Sequence, residues 1–174
     1  RAGVKSIEHG QLIDEPTMKL IAEKGVWLSM QPFIGEGNNH YTNPVQQAKH
    51  ELVVQGTDRA YQLAKKYGVK LAWGTDLLFS PANARNQNLN IEKMTRWFSN
   101  FEILKMITHD NAELLALSGR RNPYPGKLGV IEEGALADLI VVDGNALEDI
   151  KVLTDPGKNM LLIMKDGKIY KNDL

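Results

Sequence analysis

Gly68-Val69-Lys70-Leu71-Ala72-Trp73-Gly74-Thr75-Asp76 consists of a glycine, a short apolar strand and a polar residue where that strand ends. The same order recurs in residues 3–9 and 25–31. Helix-like segments precede Gly25 and Gly68, and a glycine in the left-handed conformation commonly ends a helix. The pattern therefore predicts an α/β repeat whose polar side chains follow the carboxyl ends of parallel strands. Barrels and open parallel sheets place their chemistry at that edge.

The first half of the chain alternates strands with helices. Asp14 is a candidate N-cap and Pro16 suits a first helical turn, while Pro44 suits the start of a long helix that runs to Tyr67. We expect strands over residues 3–9, 26–31 and 69–74, helices over 14–25 and 44–67, and polar loops over 32–43 and 77–90. Because no helix precedes the first strand, we expect the sequence to be part of a longer chain.

The second half of the sequence no longer alternates strands with helices. Helices are predicted over residues 91–98, 99–107 and 111–117, the second opened by a capping box of Ser99 and Glu102. Prolines and glycines then become frequent, and two apolar runs follow, the second joined to 167–170 by Asp166-Gly167, a hairpin signal. We predict a partial (β/α) barrel over 1–122 and a β-rich segment over 123–174.

Composition limits the possible functions. The 21 basic and 21 acidic residues give a formal net charge of zero, which argues against nucleic acid or an anionic membrane as a partner. The absence of cysteine excludes disulfides, thiolate zinc ligands and a cysteine nucleophile. No apolar run approaches the length of a membrane span. We expect a soluble protein, cytoplasmic or periplasmic.

His9 and Asp76 are the strongest candidates for chemistry, because each follows a strand at the same edge of the inferred sheet. An imidazole there can bind a divalent metal, although from position alone a histidine hydrogen-bonded within the core is the more common case. A carboxylate there can bind metal and accept a proton from an attacking water, or it can be a turn or cap aspartate. Two residues do not complete a catalytic zinc site, which takes three or more protein ligands.

Other polar residues are weaker candidates. His40 lies in the loop after the second strand, where it could contact substrate. Arg85 and Arg96 could pair with a substrate carboxylate, although solvated arginine is the more ordinary role for each. We expect His50 to be a surface residue and His109 to be structural.

Four segments in fixed order carry a resemblance to the amidohydrolase superfamily, in its imidazolonepropionase-like and Xaa-Pro-dipeptidase-like branch. They are Ser6-Ile7-Glu8-His9-Gly10, Gly74-Thr75-Asp76, the segment from Thr108-His109-Asp110-Asn111 to Leu115, and the segment from Lys127-Leu128-Gly129 to Asp138-Leu139-Ile140-Val141. The resemblance covers essentially the whole sequence. One departure is His109-Asp110, where relatives usually have a neutral residue and asparagine, and we expect no catalytic consequence.

The resemblance implies a (β/α)8 TIM barrel that hydrolyses C–N bonds with one or two divalent metals, most simply zinc. It makes the three strands barrel strands six to eight, His9 a metal ligand, and Asp76 both a metal ligand and the proton-transferring catalytic residue. The β-rich segment then resembles part of a flanking β-sandwich. The family's remaining ligands, a His-x-His, a lysine or glutamate and another histidine, would lie before Arg1.

The main hypothesis is therefore the C-terminal part of a metal-dependent amidohydrolase, with a small amide or dipeptide as substrate. By itself this chain should lack the complete site and self-associate through open sheet edges. The alternative is a self-standing, non-catalytic half-barrel module that pairs with another chain. A phosphate- or nucleotide-binding domain is disfavoured, since no glycine-rich phosphate loop follows a strand.

Overall fold

The computed structural model describes residues 2–35, 41–77 and 81–174, which divide into two compact units, residues 1–75 and 76–174. In the first unit, β1 (Ser6–Glu8), β2 (Trp27–Met30) and β3 (Leu71–Trp73) form a parallel sheet in the order β1-β2-β3. Ile7 pairs with Leu28, and Leu28 pairs with Leu71. The predicted α/β repeat of parallel strands is thus present.

Two helices connect these strands, α1 (Glu15–Glu23) and α2 (Pro44–Tyr67). Asp14 caps α1 by accepting a hydrogen bond from the Thr17 amide, and Asn43 caps α2. Gly68 ends α2 in the left-handed conformation, with φ 63°. Both helices therefore begin and end where their capping residues predict.

The core of the first unit lies between the sheet and its helices. All four β2 residues are buried, as expected of a central parallel strand. Met18 from α1 and Ala60, Tyr61 and Ala64 from α2 supply the apolar layer that covers the sheet. The central strand and these helix residues together form the buried core of the first unit.

The second unit begins with a helical region. It contains α3 (Pro81–Arg85), α4 (Leu89–Lys93), α5 (Asn100–Lys105) and α6 (Asn111–Ala116), and the predicted capping box opens α5. Two expectations were wrong here. Helix α3 occupies part of the predicted loop 77–90, and a π-helical turn, Met106–Asp110, joins α5 to α6 without the predicted break.

The chain ends in an antiparallel sheet of β4 (Leu139–Val142), β5 (Met160–Lys165) and β6 (Lys168–Asn172), in the order β4-β5-β6. A short helix, α7 (Pro156–Asn159), precedes β5. Asp166 and Gly167 both have positive φ in the turn between β5 and β6, as the hairpin signal predicts. The β-rich character is confirmed, while the proposed boundary after residue 122 stays a prediction.

Among the residues that the structure describes, no helix is both long and apolar enough to cross a bilayer.

Candidate metal-binding site

His9 follows β1 directly and has an unusual backbone conformation. Its φ is +71°, in the left-handed region, and its amide donates to the Ser29 carbonyl over 2.8 Å. Histidine tolerates this region better than most residues, but the conformation still costs free energy. The backbone bond to β2 therefore fixes the direction in which the imidazole leaves the end of β1.

The His9 ring is oriented by two buried glutamines. Its Nδ1 lies 2.9 Å from Gln31 Oε1, which also accepts a hydrogen bond from Gln11 Nε2 at 3.1 Å. Gln11 and Gln31 are 5% and 6% exposed. Since an amide oxygen can only accept, this contact is a hydrogen bond when Nδ1 carries a proton.

An open cleft of about 580 Å³ lies beside His9. The loop between β1 and α1 forms most of its wall, and Val53 of α2 completes it. Asp14 and Thr17 are also in this wall, and hydrogen bonds from Thr17 lower the pKa of Asp14. The exposed His9 side chain is thus next to a space that a small molecule can enter.

Asp76 is the first residue of the second unit and follows β3 by three residues. Its φ is +54°, so it too is in the left-handed region. It is exposed, so its carboxylate is accessible from solvent. That His9 and Asp76 meet at one ion stays a prediction.

The other predicted contact residues are less informative. His40 lies outside the described residues. Arg85 is an exposed residue at the end of α3, and the Arg96 guanidinium lies 5.8 Å from the centre of the Trp97 ring. His50 packs its ring against Tyr41, with 5.4 Å between the ring centroids.

A second group of potential ligands lies where the π-helical turn meets α6. His109 Nδ1 is 2.8 Å from Asp110 Oδ1 and His109 Nε2 is 3.9 Å from Glu113 Oε1. Lys105 donates to the same Asp110 oxygen and competes there with any cation. We therefore interpret this group as side-chain contacts within the helical region, and the structural role of His109 stays a prediction.

Imidazole and carboxylate, the side-chain groups of His9 and Asp76, are each of a type that can bind a divalent metal. An imidazole whose Nδ1 donates to an oxygen presents Nε2, which is the arrangement typical of metal-binding histidines. A carboxylate supplies a second ligand of suitable type. The two glutamines are the part of the site that sequence reasoning missed, although Gln31 is the polar residue that ends the repeated segment 25–31.

Comparison with known proteins identifies the family. The sequence matches the amidohydrolase family model over residues 1–170. The chain therefore belongs to the amidohydrolase family. It is 33% identical over 175 residues to ochratoxinase of Aspergillus niger, an alignment that covers 98% of this chain and 35% of that protein.

Solved structures agree. A crystal structure of an amidohydrolase matches with a TM-score of 0.82 and 33% identity, covering 99% of this chain and 41% of that one. A prolidase complexed with N-methylphosphonate-L-proline matches with a TM-score of 0.81 and 32% identity, covering 98% and 41%. The chain thus spans about a third of the length of the curated relatives it matches, and the suspected kinship with prolidase-like amidohydrolases is confirmed.

Proposed function

We propose that the protein containing this chain is a metal-dependent hydrolase of C–N bonds in small amides or dipeptides. The observation that carries the proposal is the family match over residues 1–170, which includes both His9 and Asp76. In this proposal β1, β2 and β3 are strands six, seven and eight of a (β/α)8 barrel, and β4 to β6 belong to a flanking sandwich. The rest of the protein supplies the further metal ligands.

His9 would hold a divalent ion through Nε2, and Asp76 would hold it through a carboxylate oxygen. When bound, such an ion polarises the scissile carbonyl and activates water. Zinc fits these ligands, and manganese, iron and cobalt also do. The hydrogen bond from His9 Nδ1 to Gln31 supports this role, since it keeps the ring in one orientation.

Asp76 would also move the proton. It accepts a proton from the water whose oxygen attacks the carbonyl carbon, and it delivers that proton to the nitrogen when the C–N bond breaks. The cleft beside His9 provides room for the group next to the scissile bond. His40, in the loop after β2, is proposed to contact the substrate.

Acyl-proline dipeptides are the first substrates to test, because one similar structure is a prolidase complexed with N-methylphosphonate-L-proline. The complete gene product should be assayed with added zinc and manganese, alongside its His9→Ala and Asp76→Asn variants. We expect the variants to lower kcat/KM by about 10²–10⁴-fold, the usual contribution of a group that transfers a proton or fixes the ion. His50→Ala, a histidine on the helix α2, is the matched control and should retain activity.

Two results would contradict the proposal. One is hydrolysis that survives unchanged in both variants. The other is a protein that hydrolyses no member of an amide and dipeptide panel when loaded with metal.

A further inference from the structure

We infer that Gln31 is a positioning residue for His9, that Gln11 holds Gln31 in place, and that together they fix the ring in the Nδ1–H tautomer. The inference rests on the proposed function, because in it the role of this tautomer is to present Nε2 to a divalent cation. We call Gln11 and Gln31 the glutamine pair. Neither residue touches substrate in this account, and both act through His9.

The hydrogen-bond directions are determined by the atoms involved. Gln31 Oε1 accepts a hydrogen bond from Gln11 Nε2 at 3.1 Å and lies 2.9 Å from His9 Nδ1. An Nε2–H tautomer of His9 would place a lone pair on Nδ1 directly opposite the Gln31 oxygen. Two facing acceptors repel, so only the Nδ1–H tautomer is compatible with this contact.

Burial makes the glutamine pair a rigid support. Both side chains are at least nine-tenths buried, and a buried amide that loses its hydrogen-bond partner is destabilising. Gln31 also lies close to the end of β3, because a Cβ built at Gly74 would be 3.9 Å from Gln31 Nε2. The Gln31 side chain thus spans the carboxyl end of the sheet from β3 towards β1.

Gln11 is fixed in turn by helix α2. A Cβ at Gly56 would lie 2.3 Å from the Gln11 carbonyl oxygen, so the helix approaches the Gln11 backbone more closely than any larger residue permits. This contact restricts the loop between β1 and α1 at Gln11. The order of support therefore runs from α2 to Gln11, then to Gln31 and finally to His9.

The direct test is nitrogen-15 NMR of histidine in the metal-free complete gene product, at a pH where the ring is neutral. The His9 signals are assigned by their loss in His9→Ala. We expect the wild-type ring to be in the Nδ1–H tautomer. Gln31→Met, which keeps the length and removes the oxygen, should produce a mixture of tautomers, and Gln31→Glu, which keeps an acceptor, should restore the Nδ1–H form.

Zinc affinity, measured by chelator competition, provides a second readout. Gln31→Met should weaken binding by about 10–100-fold, the usual effect of removing a partner of a metal-binding histidine. Gln31→Glu should recover most of this loss. Gln62→Met, an exposed glutamine on α2, is the matched control and should change neither the tautomer nor the affinity.

An Nε2–H tautomer in the wild-type protein would overturn the inference, and this result does not depend on whether any variant folds. An unchanged tautomer in Gln31→Met would overturn it as well. A protein with the Nδ1–H tautomer and no amide hydrolysis would instead contradict the proposed function while supporting the role of the glutamine pair. The two failures are therefore distinguishable.

Discussion

At the scale of residues, backbone conformation separates the candidate site from the rest of the chain. Among the described residues, His9, Asp76 and Asp166 are the non-glycine residues with positive φ. Asp166 needs this conformation because it forms the β5–β6 hairpin turn. His9 and Asp76 instead each follow a strand of the parallel sheet. Strain of this kind persists where function requires a particular side-chain direction.

The strain at Asp76 can be measured with two variants that both remove the carboxylate. Asp76→Gly relieves the left-handed conformation, whereas Asp76→Ala keeps a Cβ in it. We expect Asp76→Ala to have a free energy of unfolding lower by about 1 kcal/mol than Asp76→Gly, because only glycine adopts this region without cost. Urea unfolding of the two proteins measures the difference. Equal stability would show that Asp76 is not held at positive φ.

At the scale of elements, close packing of helix α2 on the loop after β1 supports the His9 side chain. Alanine is normally a better helix former than glycine by about 1 kcal/mol. Gly56→Ala should nevertheless destabilise the protein by about 1–3 kcal/mol, since its Cβ would overlap the Gln11 backbone rather than a movable side chain. Thermal unfolding measures this change, with Gln55→Ala, an exposed neighbour, as the control. A Gly56→Ala protein as stable as the control would contradict the packing described.

A second contact joins α1 to the end of α2. Lys66 Nζ lies 2.8 Å from Glu15 Oε1, and the Tyr67 hydroxyl donates to the same oxygen. Hydrogen bonds from Lys66 and Tyr67 lower the pKa of Glu15 to about 2. Because the folded-state pKa is depressed, this stabilisation is fully present above the unfolded-state pKa of about 4.5 and is lost as the pH falls through about 2.

This pH dependence can be checked by NMR titration of the Glu15 carboxyl. Lys66→Met should raise its pKa towards 4.5, whereas Lys49→Met, an exposed lysine elsewhere on α2, should leave the pKa unchanged. A Glu15 pKa near 4.5 in the wild-type protein would contradict the described contact. Solvent screening makes its contribution to overall stability small.

Local signals in the sequence were sufficient for the elements whose ends are capped by their own residues. Asp14, the Ser99 and Glu102 capping box and the Asp166-Gly167 turn each act within a few residues, so they could be recognised without the fold. The π-helical turn could not be predicted from such local signals. Its neighbour Gly129 is so close that an added Cβ would lie 2.7 Å from the Thr108 carbonyl oxygen, a contact between residues distant in sequence.

The candidate site was likewise only partly predictable from the sequence. A polar residue after each strand marked His9, Gln31 and Asp76, because strand ends are visible in the pattern of glycines and apolar residues. The partnership of Gln31 with His9 was not visible, since 22 positions separate them. The register of the strands decides which of their residues lie side by side, and here Glu8 pairs with Ser29.

At the scale of the whole molecule, the parallel sheet determines what the chain does when expressed alone. Among the described residues, β1 and β3 pair with β2 and present their outer edges unpaired. Exposed strand edges recruit other chains. We predict that the 174 residues alone self-associate at micromolar concentration, as measured by sedimentation velocity, while the complete gene product does so less. A monomer at all concentrations would contradict this and favour a self-standing module.

The central claim is that His9 and Asp76 bind one divalent ion in an amidohydrolase. Crystals of the complete gene product grown with zinc, with diffraction data recorded above and below the zinc absorption edge, test it most directly. We predict an anomalous peak bonded to His9 Nε2 and to an Asp76 carboxylate oxygen, with Gln31 Oε1 still bound to His9 Nδ1. A peak ligated by neither residue, or placed instead at His109, Asp110 and Glu113, would contradict the account.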